Sequence, residues 1–253
     1  MRRFVLAMLT AVLAAFAFSC AAPDEDVPAV GTNVDEAYAM AGVYNNKRDV
    51  YPTPRDGGDE EKLTITRFAD SYKQHILIYP YVLGRYGEEE NPYAPINEAI
   101  VQGIIKELNL HEGAQASKYR VKCNSYGVLS LVIELDDMKT SDVTALIPMT
   151  FDAFTYTPVG LTELFDSGNE RWRALIPDII TVQAAERGLV LLNDIMPIAD
   201  DQLYFLTEKT IVFLYRPYEI CTYTSQWPEF SIPIERLSDY FTDASPLARL
   251  NLK

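Results

Sequence analysis

From residue 62 onward the chain alternates between two periods of apolar residues. Leu63, Ile65 and Arg67-Phe68 alternate as in a strand, and His75 to Val82 is a second strand closed by Gly84. Residues 85–95 hold Gly87, Glu88-Glu89-Glu90 and two prolines, which predicts an exposed loop. Ile96, Ile100, Ile104, Ile105 and Leu108 then follow helical spacing, so a helix is expected over Pro95–Leu110 with Pro95 in its first turn. Tyr119, Val121 and Cys123 alternate, Asn124-Ser125-Tyr126-Gly127 turns, and Val128 to Leu135 returns, which is a hairpin pattern. A strand is expected over Ala145–Phe151 and a short helix over Leu161–Phe165.

Asn169 to Leu192 reads as a longer helical stretch, with Asn169 as its N-cap. Pro177 should kink or divide it, and Gly188 should weaken its end. Leu203–Leu206 and Ile211–Tyr215 form a second hairpin across Thr207–Thr210, and a last strand lies near Phe230–Ile234. Strand pairs interleaved with helices, without regular βαβ alternation, predict an α+β fold with antiparallel sheets and packed helices.

Before residue 62 the pattern changes. Arg2 and Arg3 precede an apolar run from Phe4 to Phe18 that ends at Ser19-Cys20-Ala21-Ala22. This is the layout of an export signal, and the run is shorter than the ~20 residues of a spanning helix. Cys20 resembles the lipidated cysteine of a bacterial lipobox, although Ala17 replaces the usual Leu and Phe18 is bulky. Plain secretion after cleavage at Ser19 is the alternative. Both readings place the mature protein outside the cytoplasm. Residues 20–61 are rich in Pro, Gly and Asn and read as a tether, with a short helix near Val34–Ala41.

The formal charge of −14 becomes −16 once the leader is removed, because the leader holds Arg2 and Arg3 and no acid. That balance argues against a nucleic-acid partner and against electrostatic adhesion to anionic lipid, leaving the lipid anchor as the expected membrane contact. It suits a cationic partner, or simple solubility. Besides Cys20 there are Cys123 and Cys221, which could pair as a disulfide in an exported protein or remain as two buried thiols.

No cofactor or metal is expected. His75 and His111 are the only histidines, with no His-x-x-x-His or Cys-x-x-Cys spacing, and there is no Gly-x-Ser-x-Gly elbow. The acidic runs, such as Asp136-Asp137 and Asp200-Asp201, lie in predicted loops, where solvated charge is the default. The richer cluster is aromatic. Tyr215, Tyr218, Tyr223, Trp227 and Phe230 crowd one stretch together with Glu219 and Glu229. Tyr218, Glu219, Tyr223, Trp227 and Glu229 are the candidate binding surface, since Tyr and Trp join an apolar face to a polar tip. The competing reading is a loop merely packed onto its sheet.

The order of these elements resembles the extracytoplasmic domain of RsiV-type anti-sigma factors, also found ahead of the catalytic domain in PdaC-type peptidoglycan deacetylases. The resemblance rests on Ile78-Tyr79-Pro80 with the helix at Ile96-Asn97, and on Tyr126 to Leu131. It continues through Thr150-Phe151-Asp152 and Leu161 to Phe165, then Gln202 to Leu206 and Val212 to Tyr215. Pro217-Tyr218-Glu219-Ile220 and Pro228 to Pro233 complete it. It implies two packed α+β parts, 62–149 and 150–241, with 242–253 as a tail. It also implies binding or sensing at the cell surface, by recognition of lysozyme in the RsiV-type members. The partners expected are therefore a cationic extracellular protein, lysozyme-like or not, or peptidoglycan. Leu135 to Asp142 lacks the Gly-Gly-Ala-His segment common in that family. Only Met1-Arg2-Arg3 precede the apolar run, and no deacetylase domain is expected after Lys253. The function expected is non-catalytic binding; the alternative is a cell-wall enzyme or its accessory.

Overall fold

The hairpin expected around residues 119–135 forms the centre of the molecule. The structure is a computed structural model that describes residues 62–84, 90–222 and 227–251. The leader, Cys20 and the tether lie outside the described residues, as does Tyr223. Strand β4 (Val128–Asp137) runs antiparallel to β3 (Gln115–Ser125) and β5 (Val143–Asp152). Strands β1 (Ile65–Tyr72), β2 (His75–Val82) and β6 (Thr157–Pro158) complete a six-stranded sheet in the order β1-β2-β3-β4-β5-β6. The β3–β4 turn is tighter than the four residues expected. Ser125 pairs with Val128 across Tyr126 and Gly127, both at positive φ (53° and 68°), the geometry that matches the twist of a two-residue hairpin.

β4 is buried on both faces, which explains its nearly unbroken apolar run. Leu129, Leu131, Ile133 and Leu135 meet helix α1 (Ala94–Leu108), whose Ile96, Ile100, Ile104 and Leu108 repeat every four residues and are buried. At ~1.5–3 kcal/mol per fully buried aliphatic side chain, those four positions are the main force holding α1 to the sheet. Helix α1 also supplies the crossover that the single parallel pairing, β2 with β3, requires. That pairing is short, one register pair at Ile76–Ala116. Beyond it the two strands part, and side chains replace the missing ladder. Ser117 Oγ accepts the Ile78 N–H at 2.6 Å and donates to the Ile78 carbonyl at 2.9 Å. Asn97 on α1 does the same for Val82, and Asn124 for Leu63. Each bridge satisfies buried backbone groups that would otherwise be orphaned.

The opposite face of β4 receives a second sheet, β7 (Tyr204–Leu206), β8 (Thr210–Leu214) and β9 (Glu229–Pro233), antiparallel in that order. Val132 packs with Phe205, Val212 and Leu214. The Leu206 N–H donates to Ser130 Oγ at 2.9 Å, and Ser130 shares a hydrogen bond with Thr150 Oγ1. Tyr204 Oη donates to the Val159 carbonyl at 2.7 Å. Beneath the small sheet lies helix α2 (Trp172–Glu186), with Trp172, Ile176 and Ile180 in one core with Phe213, Phe230 and Ile232. The fold is α+β, with antiparallel pairing dominant.

Several details differ from the sequence expectations. Helix α2 begins after Arg171, not at Asn169, whose side chain instead donates to the Asp239 carbonyl. Pro177 does not divide it. The carbonyl of Arg173, which an N–H at 177 would have taken, accepts the Ile198 N–H at 3.0 Å, and the Arg173 guanidinium donates to the Ile198 carbonyl at 2.7 Å. Gly188, at φ 67°, follows the end of the helix. The expected tail is part of the core. After a 3-10 helix at Ile234–Tyr240, Ser245 caps helix α3 (Pro246–Leu250), and Leu247 and Leu250 are buried. Arg249 makes a two-pronged ion pair with Asp152 at the end of β5.

Of the two alternatives left open for Cys123 and Cys221, the structure has two free, buried thiols. Cys123 sits on β3 opposite Ser130, while Cys221 bridges to Leu191. Burial, then the Glu208 carboxylate, pushes the Cys123 thiol up to about 12, and burial also raises Cys221. Both stay protonated at neutral pH and act as small apolar groups.

Candidate cleft between the two sheets

Strand β3 carries an irregularity that shapes the seam. Val121 pairs with Leu131 and Cys123 with Ser130, so Lys122 is an extra, bulged residue. Before it, Lys118 and Arg120 share the face of Glu134. After it, Cys123 and Ser125 take that face. Simple alternation put Cys123 with Tyr119 and Val121, but the bulge separates them: Tyr119 and Val121 pack on the α1 side, Cys123 on the other.

This face of β3 and β4 forms the floor of a cleft of about 800 Å3. Arg120, Lys122, Val132 and Glu134 lie on the floor, Val143 and Leu146 come from the start of β5, and Asp142 just precedes it. The far wall is Tyr218 and Trp227, from the segment between β8 and β9, and Glu229, the first residue of β9. The structure thus gathers three of the five residues proposed from sequence onto one cavity. Glu229 is solvent-exposed, and its carbonyl accepts from the Arg187 guanidinium at 2.7 Å, which holds the β9 edge in place.

Glu219 does not line the cleft. Its carboxylate accepts the Arg216 N–H at 2.6 Å, while its own N–H donates to the Arg216 carbonyl at 3.1 Å. The reciprocal pair closes a turn with Pro217 and Tyr218 at its centre. Tyr218 is held at φ 64° and is 63% exposed, a strained backbone carrying an aromatic ring into solvent at the cleft rim. Tyr215, one residue before the turn, is buried, and burial with the nearby Glu219 charge pushes its hydroxyl up to about 12.

On the floor, Glu134 is 3% exposed and fully engaged. Lys118 Nζ approaches it at 3.1 Å and Asp136 at 2.8 Å, and Arg120 pairs with its other oxygen. Burial opposes charge on Lys118, but its hydrogen bonds to Asp136 and Glu134 outweigh that, so its pKa is raised. The carboxylate is a fixed, compensated charge beneath the cleft. Lys122 lies with Nζ 4.4 Å from the centre of the Phe205 ring.

The floor residues were missed in the sequence, yet a signal exists. The hairpin register sets Lys118 against Glu134 and Arg120 against Val132, so the bases Lys118 and Arg120 of β3 share one face with the acids Glu134 and Asp136 of β4, an alternation of charge that runs one residue past each end of the predicted strands. Neither histidine lines the cleft. His75 is buried at the β1–β2 turn and accepts the Gln115 N–H on Nδ1, and His111 sits 3.6 Å from Glu107. Among the described residues, no three His, Cys, Asp or Glu side chains group as a metal site, and no helix is long and apolar enough to cross a membrane.

No protein-family model and no curated protein matches the chain. A solved structure of a DUF3298 family protein from Pseudomonas aeruginosa is similar, with a TM-score of 0.53 over 75% of this chain and 98% of that one, at 13% identity. The chain shares its fold with that structure. A second member of the family, from Bacteroides fragilis, gives a TM-score of 0.48 over 79% of this chain and 100% of that one, also at 13% identity. The likeness is one of fold, and at that level it agrees with the RsiV-type and PdaC-type resemblance.

Proposed function

We propose that this chain is an exported, lipid-anchored binding or sensing protein without catalytic activity, and that the cleft between the two sheets receives its partner. The partner is a cationic extracellular protein of lysozyme-like character. The observation that carries this reading is the convergence of Tyr218, Trp227 and Glu229 on one cleft with Asp142. Exposed Tyr beside Trp supplies contact area at low entropic cost, and the acids favour a positive partner. The mature charge of −16 would speed such an encounter at low salt. Cys20 is the attachment point to the membrane.

The test uses the exported chain without its leader, immobilised and exposed to a cationic lysozyme. Saturable binding that falls at least tenfold in Tyr218→Ala, with an unchanged circular dichroism spectrum, is expected. Absence of saturable binding overturns the partner assignment, and reproducible turnover of peptidoglycan would favour the cell-wall enzyme instead. Separately, Cys20→Ala should move the protein from the membrane to the soluble fraction.

A further inference from the structure

Strand β5 is open on one edge before Thr150. Its neighbour on that side, β6, pairs only with Phe151 and Asp152, and the Val159 N–H donates to the Thr150 carbonyl at 2.8 Å. The chain then turns away into a 3-10 helix at Leu161–Leu164. Backbone groups alternate in direction along a strand, so those of Pro148 and Leu146 point to the same side as the Thr150 carbonyl, away from β4. Among the described residues, no backbone partner reaches the Leu146 N–H, the Leu146 carbonyl or the Pro148 carbonyl on that side. Pro148 brings no N–H of its own, which suits a position on an unpaired edge.

A hollow of about 410 Å3 follows this edge. Pro148 and Thr150 line it from one face of β5 and Met149 and Phe151 from the other, an arrangement that only a strand edge allows. Ala99 of α1 forms one wall, and residues 200–203, leading into β7, form the opposite one. Gly103 gives the Met149 methyl its place against α1, since a Cβ there would overlap it. The charges of the lining are Asp200 and Asp201. Asp200 accepts from the Arg173 guanidinium at 2.5 Å, whereas Asp201 is exposed and makes no ion pair with a described residue.

Two occupants compete for such an edge. A second copy would lay β5 antiparallel to β5 around Leu146, bringing Asp142 before one strand toward Asp201 beside the other, between chains of formal charge −14. An extended segment with basic residues meets the same acid favourably. We infer that the β5 edge is a strand-addition site for an extended, basic peptide segment of another protein, hydrogen-bonded to Leu146 and Pro148 with apolar side chains against Ala99, Met149 and Leu203. The cleft meets β5 at Val143 and Leu146, so the two sites are contiguous, but the edge stands whether or not the cleft receives a lysozyme-like protein.

The probe is the acetylated and amidated peptide Lys-Val-Thr-Val-Thr-Val-Lys, titrated into the leaderless chain at low ionic strength and followed by NMR. Saturable binding is expected, with the Leu146 amide proton exchanging at least tenfold more slowly in the complex. A strand has two edges and needs only one here. N-methylation of alternate peptide nitrogens should therefore change affinity less than twofold, and methylation of all of them should lower it at least tenfold. Exchanging both Lys of the peptide for Glu should weaken binding at least tenfold, and Asp201→Asn at least threefold. Glu235→Gln, in the 3-10 helix after β9, should leave it unchanged. No saturable binding at millimolar peptide, an unprotected Leu146 amide, or undiminished affinity of the fully methylated peptide would overturn the site. A dimer of the peptide-free chain in sedimentation, dissolved by the peptide, would give the edge to a second copy and overturn the basic-segment assignment.

Discussion

Replacing Tyr218 by glycine should leave the protein as stable as, or more stable than, the natural chain while removing its binding. The left-handed conformation costs a non-glycine residue about 1–2 kcal/mol, and Tyr218 is held there at φ 64°. Glycine releases that strain but widens the unfolded ensemble, which returns about 0.5–1 kcal/mol. The ring is 63% exposed, so its loss removes little buried area. The net effect is a stabilisation between zero and about 1.5 kcal/mol. Alanine at the same position keeps the strain and loses the ring, so Tyr218→Ala should be less stable than Tyr218→Gly by about 1 kcal/mol. Urea unfolding of the natural chain and both variants, read at a common m-value, measures the differences. At the size of this domain, 1 kcal/mol corresponds to a shift of about 2–4 °C in Tm. Both variants should lose affinity for the partner. If Tyr218→Gly were less stable than Tyr218→Ala, the turn would not store strain, and presentation of the ring by Glu219 and Pro217 would be wrong.

Two further outcomes follow from buried polar groups. Ser117→Ala strands the N–H and C=O of Ile78, which the Ser117 hydroxyl satisfies. At about 1–3 kcal/mol per orphaned buried group, a loss of about 2–6 kcal/mol in urea unfolding is expected, and a loss under about 0.5 kcal/mol would mean that strand β2 relaxes onto β3. His75 accepts the Gln115 N–H on Nδ1, and burial, then the charges of Lys73 and His111, hold its pKa below 6.5. Its contribution is therefore full above pH 6.5 and lost as pH falls through the lower folded value. Urea midpoints between pH 7.5 and 5 should fall in the natural chain and flatten in His75→Asn, which keeps an acceptor but cannot protonate; parallel slopes would assign the effect to other groups.

The strands and helices were legible because their burial is local in sequence. Helix α1 shows four buried residues at spacing four, and β2 runs from His75 to Val82 as its pattern predicts. What was not legible depends on partners far along the chain. Pro177 reads as a helix breaker until Ile198 takes the freed carbonyl of Arg173. Residues 242–253 read as a tail until Leu247 enters the core and Arg249 reaches Asp152. Alternation placed Cys123 on the wrong face because one bulged residue reverses the parity of everything after it.

The candidate site was half legible for the same reason. Tyr218, Trp227 and Glu229 are close in sequence, so their clustering is visible before any fold is known. The floor they face comes from Arg120, Lys122 and Glu134, about a hundred residues earlier, and only the docking of the β7–β9 sheet onto β4 joins the two. That docking also explains the division of charge along the seam. Before the bulge, Lys118 and Arg120 are neutralised by Glu134 and Asp136, so the exposed character of that end is set by Asp142, Glu229 and the aromatics. At the bulge, Lys122 leaves the register and lays its ammonium group over the Phe205 ring of the other sheet. Deleting Lys122 should do more than remove one charge: with the bulge gone, Cys123 and Ser125 would have to turn away from the second sheet, uncoupling Ser125 from Glu208 and opening the seam on which the cleft depends.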